Sequence, residues 1–106
     1  MAYAFTADVP IDRALYEEIA NEVGNETPKG MIAHLVFEIE GGLRFIDVWD
    51  TEADHDAFIE ARVQPARRFI MERHGVMQPS QPLDTKELTC VHAWTVTYGT
   101  STPHRR

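Results

Sequence analysis

Three residues have side chains whose types and spacing could support proton transfer: His34, Asp47 and Trp49. His34 stands in an apolar stretch that the turn sequence Glu40-Gly41-Gly42 separates from the stretch holding the other two. With a two-residue hairpin turn, His34 faces the same side as Asp47 and Trp49, whereas a three-residue turn breaks this pairing. A buried carboxylate fixes a histidine's tautomer and raises its basicity, so the pair is a candidate general base for the acidic proton of a phenol or enol.

The residues around this pair predict a binding surface for a hydrophobic ligand. Trp49 and Phe45 would form a flat apolar wall for a ring-shaped molecule. His92 would lie on the last strand, either across the cavity from His34 or in a dimer seam. Alternatively, His34 and Asp47 are a satisfied polar pair that holds the strand register and has no catalytic role. Replacing His34 with Ala should then cost stability rather than turnover.

No metal or cofactor is predicted. Two histidines and Asp47 could form a facial triad for iron, but no local spacing such as a helical histidine pair supports one. His55 is expected to be solvated in the first turn of the second helix, and His74 to lie at its carboxyl end.

Three arginines fall close together on the second helix: Arg62, Arg67 and Arg68. One of them could reach over the cavity mouth to hold an anionic ligand. The alternative is a solvated face on which the arginines pair with Glu60 and Glu72.

The elements that must position these residues follow the order strand, helix, strand, strand, helix, strand. The pattern predicts strands at 3–8, 31–39, 43–49 and 86–98, a helix from Pro10 to the stop at Gly24, and a second helix from Thr51 with Phe58, Ala61 and Phe69 inward. Pro65 should divide the second helix, whose later part would run from Ala66 to His74. With right-handed crossovers this order gives an α+β fold, the ferredoxin-like βαββαβ plait with a four-stranded antiparallel sheet and both helices on one face.

Both faces of this sheet read as apolar. Leaving several large side chains in water forfeits roughly 1.5–3 kcal/mol each, in a domain whose total stability is only about 5–15 kcal/mol. A second copy packed sheet against sheet would cover the open face, so we predict an obligate homodimer. We place His34, Asp47 and Trp49 on the face away from the helices, where the dimer would enclose a cavity.

Composition excludes several other classes of protein. The 106 residues suit one domain, taken as 1–99, with a flexible tail at 100–106. A net charge of −7 and a basic cluster limited to Arg105-Arg106 argue against nucleic acid as a partner. No apolar run has the length of a membrane span, and the start lacks signal-peptide features, so we expect a cytoplasmic protein. Cys90 alone cannot form an internal disulfide.

The chain resembles the dimeric α/β-barrel superfamily that includes the antibiotic-biosynthesis-monooxygenase-like proteins. The resemblance rests on the stretches 30–34, 41–52 and 58–66, which are Gly-Met-Ile-Ala-His, Gly-Gly-Leu-Arg-Phe-Ile-Asp-Val-Trp-Asp-Thr-Glu and Phe58 to Pro65-Ala66. Such strand-Trp-acid-helix signatures are more specific for fold than for chemistry. The resemblance is greatest to small bacterial members of unknown role.

The resemblance implies a dimeric barrel and a possible cofactor-independent monooxygenase acting on an aromatic or polyketide-like molecule. His34 would be the base, Asp47 its orienting partner, and Trp49 and Phe45 the walls. Haem-degrading members use a Trp and a His where this chain has Phe58 and Arg68, so no iron ligand is expected there. The alternative is a homodimer that binds a ligand, or is merely structural, and has no activity.

Overall fold

The computed structural model describes residues 2–75 and 84–94 and shows the expected α+β topology. The elements are β1 (Tyr3–Val9), α1 (Arg13–Val23), β2 (Met31–Ile39), β3 (Gly42–Trp49), α2 (Glu52–Phe58), a π-helical turn (Ile59–Val63), α3 (Gln64–Arg73) and β4 (Asp84–Leu88). The strands form one antiparallel sheet in the order β2-β3-β1-β4. This is the strand order of the ferredoxin-like plait.

Side-chain caps fix where the first two helices begin. Asp12 caps α1 by accepting from the amide of Leu15 at 2.8 Å, so the helix begins at Arg13 rather than at Pro10. Thr51 caps α2 in the same way, accepting from the amide of Asp54 at 3.0 Å as the sequence predicted. Each cap satisfies a backbone donor that the first helical turn leaves free.

The hairpin between β2 and β3 has a two-residue turn, Glu40-Gly41, with Gly41 at a φ of 88° that favours glycine. This turn sets the register in which His34 stands directly opposite Asp47. An irregularity between Met31 and Ala33 then shifts the pairing, so that Met31 lies opposite Trp49. The register that places His34 beside Asp47 is therefore confirmed.

Two small clusters hold the helices against one face of the sheet and against each other. One contains the buried residues Phe5, Ala7 and Trp49, against which Phe58 of α2 packs. The other joins α1 to α3 through Ile19, Ala66 and Ile70. Trp49 has no exposed surface, so β3 is fixed firmly beneath the start of the second helical segment.

The second helical segment is divided as expected, and a π-helical turn forms the junction. Gln64 donates its amide to the carbonyl of Ile59, five residues earlier, and Pro65 follows within the first turn of α3. A proline has no amide to donate, so a change of hydrogen-bonding pattern just before it costs little.

The opposite face of the sheet is apolar and open in a single chain. Leu35 and Phe37 on β2 are 49% and 48% exposed, and Leu88 on β4 is 36% exposed. The fold therefore leaves hydrophobic side chains exposed on this face of the sheet, as the sequence pattern indicated.

The last strand differs from its prediction. It begins at Asp84 and ends at Leu88, whereas the sequence placed a strand from Lys86 to Tyr98. Residues 89–94 are not in a strand, and 95–98 lie outside the described residues, as does the predicted tail. No helix within the described ranges is long and apolar enough to cross a membrane.

Candidate functional site

Four side chains from three elements form a continuous hydrogen-bonded chain. The Tyr16 hydroxyl on α1 lies 2.9 Å from Nε2 of His34, and Nδ1 of His34 lies 2.7 Å from Oδ1 of Asp47. The indole Nε1 of Trp49 donates to the other oxygen of Asp47 at 3.1 Å. The predicted trio is thus in direct contact, and Tyr16 extends it toward the helices.

The donors and acceptors in this hydrogen-bonded network determine which atoms carry its protons. An ionised Asp47 only accepts, and the indole of Trp49 only donates, so Nδ1 of His34 must carry the proton that it shares with Asp47. A neutral His34 then presents the lone pair of Nε2 to Tyr16, whose hydroxyl donates to it. This is the tautomer of a general base, with the basic nitrogen directed toward α1.

Burial keeps Tyr16, the fourth residue of the hydrogen-bonded network, neutral. Desolvation, with a smaller contribution from the charge of Asp47, raises the pKa of the Tyr16 phenol above its ordinary value. Asp47 itself is only 5% exposed, but both of its oxygens have partners. Tyr16 therefore stays protonated, and each carboxylate oxygen of Asp47 is hydrogen-bonded.

A cavity of about 490 Å³ lies between the sheet and the helices and includes this network in its wall. Its sheet side carries Phe5, Phe45 and Trp49, and its helix side carries Ile59 and Val63. The His34 and Tyr16 rings each meet Phe45 edge-on, with centroids 5.5 and 5.6 Å apart. Phe45 thus lies beside the candidate base, and the predicted role of Phe45 and the fully buried Trp49 toward a ligand stays a prediction.

One part of the prediction is wrong: the site does not lie on the face away from the helices. His34 bonds to a residue of α1, and the cavity forms beneath the helices rather than on the open sheet face. Because both faces of β2 carry apolar residues, their pattern could not show which face the helices cover. The cavity consequently lies between the sheet and the helices of a single chain.

Comparison with solved structures gives several matches, among them three that cover most of the chain. A protein of Chloroflexus aurantiacus J-10-fl that is assigned as an antibiotic biosynthesis monooxygenase has a TM-score of 0.57 and 19% identity, covering 90% of this chain and 98% of that one. Rv0793 of Mycobacterium tuberculosis has a TM-score of 0.57 and 14% identity, covering 90% and 100%. A further antibiotic biosynthesis monooxygenase has a TM-score of 0.56 and 17% identity, covering 87% and 100%. The chain has the fold of the antibiotic biosynthesis monooxygenases.

At these identities the similarity shows the fold only, so any activity must be inferred from the residues of the site. No family model matches the chain. No curated protein matches it either. Within the monooxygenase fold, the position that the resemblance compared with a haem-ligating histidine is Arg68, which is exposed. Phe58, compared with a tryptophan, packs against Trp49 with centroids 5.6 Å apart.

Two other histidines differ from their predictions. His55 is packed rather than solvated: its side chain is 17% exposed and its ring meets Phe5 and Trp49 at 4.9 and 5.4 Å. His92 follows β4 instead of lying on it, is exposed, and packs against Trp94. It is not among the described residues that line the cavity. Its predicted contact with a ligand therefore has no support within one chain.

The three arginines occupy different environments, and only Arg67 lines the cavity. Arg62 donates to the carbonyl of Val23 at 3.2 Å and lies over the Phe58 ring. Neither Glu60 nor Glu72 pairs with any of the three within the part of the chain that the structure describes. Across the same ranges no group of three or more His, Cys, Asp or Glu side chains is arranged to hold a metal ion.

Tyr16 is the residue of the site that the sequence reading missed. The apolar residues at helical spacing in this segment are Ile11, Ala14, Leu15, Ile19 and Val23, and a face drawn through them leaves Tyr16 out. The residues of α1 that line the cavity are Tyr16, Ile19, Ala20 and Val23, a spacing of three, four and seven residues. Counting back three residues from Ile19 with the same helical period leads to Tyr16.

Proposed function

We propose that this protein is a cofactor-independent oxygenase whose cavity binds a ring-shaped phenol or enol and whose base is His34. The observation that carries the proposal is the hydrogen-bonded chain Tyr16–His34–Asp47–Trp49 in the wall of an aromatic cavity. A neutral histidine held by a buried carboxylate is suited to accept an acidic proton. Asp47 would then stabilise the imidazolium that forms.

Tyr16 would connect the substrate to the base, because its hydroxyl already occupies the Nε2 lone pair of His34. A substrate hydroxyl that donates to the Tyr16 oxygen could pass its proton on, with Tyr16 giving its own proton to Nε2. The raised pKa of Tyr16 keeps it protonated before this transfer. Phe45 would hold the ring against the sheet, and the fully buried Trp49 would support the wall from behind.

The substrate anion would then react directly with molecular oxygen. It gives one electron to O2, and the resulting radical pair joins to form a C–O bond at a conjugated carbon that carries hydrogen. The imidazolium returns its proton to the peroxide, and loss of water leaves a carbonyl. One oxygen atom stays on carbon, the other leaves as water, and the substrate supplies all the electrons.

The test is oxygen uptake with a panel of polycyclic phenols, combined with variants of the network. We expect His34→Gln to lower the rate roughly 100-fold or more, as for loss of a general base. His74→Gln is the matched control, since His74 bonds to Glu18 away from the cavity. A change in stability alone cannot decide the role of His34, because its removal leaves the Tyr16 hydroxyl and Oδ1 of Asp47 without their partner.

A second candidate function is ligand binding without catalysis. The observation that favours it is that Tyr16, His34 and Asp47 are all satisfied by one another, as in a structural polar network. Under this alternative, phenols bind to the protein while oxygen uptake stays at the uncatalysed rate in both the unmodified protein and His34→Gln.

We also propose that the protein is a cytoplasmic homodimer joined through the open sheet face. Leu35 and Phe37 are half exposed there, and burying them would recover roughly 1–1.5 kcal/mol each. Sedimentation should therefore show a dimer that Phe37→Glu converts to a monomer. Phe69→Glu is the control, because Phe69 is 50% exposed but lies on α3. A monomer before substitution would refute the dimer and leave the cavity proposal intact.

A further inference from the structure

Arg67 has a buried donor with no partner at the cavity. The side chain is half-buried and lines the cavity, and its Nε is shielded from solvent without any hydrogen-bond acceptor. A guanidinium is always charged and carries five N–H donors. Leaving a buried donor of a charged group unpaired is costly, so a position like this one calls for an explanation.

The surrounding charges do not compensate Arg67. Of the two acidic residues that line the cavity in the described ranges, Asp47 already accepts from His34 and Trp49. The other, Glu26, is exposed and forms no ion pair with Arg67. Among the described residues that line this largely apolar cavity, Arg67 is therefore the one Lys or Arg, in a chain whose net charge is −7.

We propose that Arg67 binds the carboxylate of an aromatic carboxylic acid in this cavity. A guanidinium fork matches a carboxylate in charge and in geometry, through two parallel N–H···O bonds. In Arg67 the two terminal nitrogens would donate these bonds, because Nε is shielded and they are not among the buried unpaired atoms. One uncompensated cation suits a monoanion better than a doubly charged phosphate. The remaining lining, with Phe5, Phe45 and Trp49 among its residues, suits the aromatic part of the same molecule.

This inference rests on the proposed function, because it names the class of molecule that the cavity takes. Arg67 belongs to α3, whereas Tyr16 and His34 belong to α1 and β2, so the anionic group and the proton-transfer group contact the ligand from different elements. Arg67 would orient the ring system and keep its carboxylate away from Asp47, whose charge would repel it.

The experiment compares two probes of the same shape, 2-naphthoate and 2-naphthamide, by calorimetric titration at pH 7.5. The unmodified protein should bind the naphthoate roughly ten-fold or more tightly than the naphthamide, as expected for a charge-assisted bidentate contact. Arg67→Met keeps the apolar stem and should abolish this preference, and Arg67→Lys should restore part of it. Arg68→Met is the matched control: this neighbouring arginine is exposed, and its loss should leave the preference unchanged.

The two probes separate this inference from the proposed function. Equal binding of both probes to the unmodified protein would overturn the role of Arg67 and leave the aromatic cavity standing. A preference that survives in Arg67→Met would overturn it as well. Failure of both probes to bind would overturn the cavity as a site for aromatic ligands, and the carboxylate inference with it.

Discussion

Replacing Asp47 with Asn should reverse the tautomer of His34. The indole of Trp49 can only donate, so the amide oxygen of Asn must face it and the amide nitrogen must face Nδ1 of His34. Nδ1 then has to accept, and the proton of the imidazole moves to Nε2. Tyr16 becomes an acceptor, and the basic lone pair no longer points toward the cavity wall where Tyr16 lies.

The size of the stability change follows from the two hydrogen bonds of Asp47. Bonds to a charged group contribute roughly 1.5–3 kcal/mol each and neutral bonds about 0.5–1.5 kcal/mol, so two conversions cost about 2–3 kcal/mol. The neutral amide is easier to bury than a carboxylate, which offsets part of this cost in a residue that is only 5% exposed. We expect a net loss of about 2 kcal/mol, or a melting temperature lower by roughly 8–16 °C.

The assay is the 15N spectrum of the histidine side chains, with the His34 signals assigned by their loss in His34→Gln. The unmodified protein should show His34 protonated at Nδ1 when neutral, and Asp47→Asn should show it protonated at Nε2, with oxygen uptake lost. Asp8→Asn is the control, since Asp8 pairs with Arg44 on an exposed part of the sheet and should affect neither readout. An unchanged tautomer in Asp47→Asn would refute the assignment of Asp47 as the group that orients His34.

Three further predictions concern pH and the backbone. Because the pKa of Tyr16 is raised in the folded state, folding should lose stability as the pH rises above about 10, and Tyr16→Phe should lessen that loss in alkaline melts. The hydrogen bond from His74, with one from Arg73, lowers the pKa of Glu18, so its contribution is present above the ordinary glutamate pKa and disappears as the pH falls through the lowered value. Acid titrations of Glu18→Gln should show a shallower loss of stability there, and a loss as steep as that of the unmodified protein would contradict this. Gly30→Ala should destabilise the fold by about 1–3 kcal/mol in urea unfolding, since Gly30 has a φ of 85° and an added Cβ would collide with Asp54; unchanged stability would contradict this.

The topology could be predicted from the sequence because its local signals agree with one another. Apolar spacing marks α1, Thr51 marks the start of α2, and the glycines after Glu40 mark a tight hairpin. The hairpin also determines the register, so the contact between His34 and Asp47 follows from the length of one turn. The local sequence pattern was thus sufficient to predict contacts between strands that one hairpin joins.

The covered face could not be predicted in this way. The face of β2 away from the helices carries Leu35 and Phe37, while the face beneath them carries His34 and Glu38. The more apolar face is therefore the open one, which reverses the usual inference from hydrophobicity. The more apolar face of β2 can be the open one because β2 is an edge strand, at the end of the order β2-β3-β1-β4. A strand at that position can place polar residues toward the helices where they meet a cavity.

The π-helical turn explains why the inward face of α3 was predicted one residue out of place. Counting onward from Phe58 in regular α-helical steps leads to Phe69, which is 50% exposed, whereas Ile70 is 1% exposed. The turn at Ile59–Val63 has five residues per hydrogen-bonded step instead of four, so each later inward position falls one residue further along.

The same extra residue decides which arginine reaches the cavity. Val63 ends the turn, and Arg67 lies four residues after it; both line the cavity, while Arg68 is exposed. The sequence grouped the arginines but could not choose among them, because Pro65 indicates that the helix is interrupted without indicating how many residues the interruption adds. The proposed anion contact thus depends on one inserted residue in the backbone, and not on the density of basic residues.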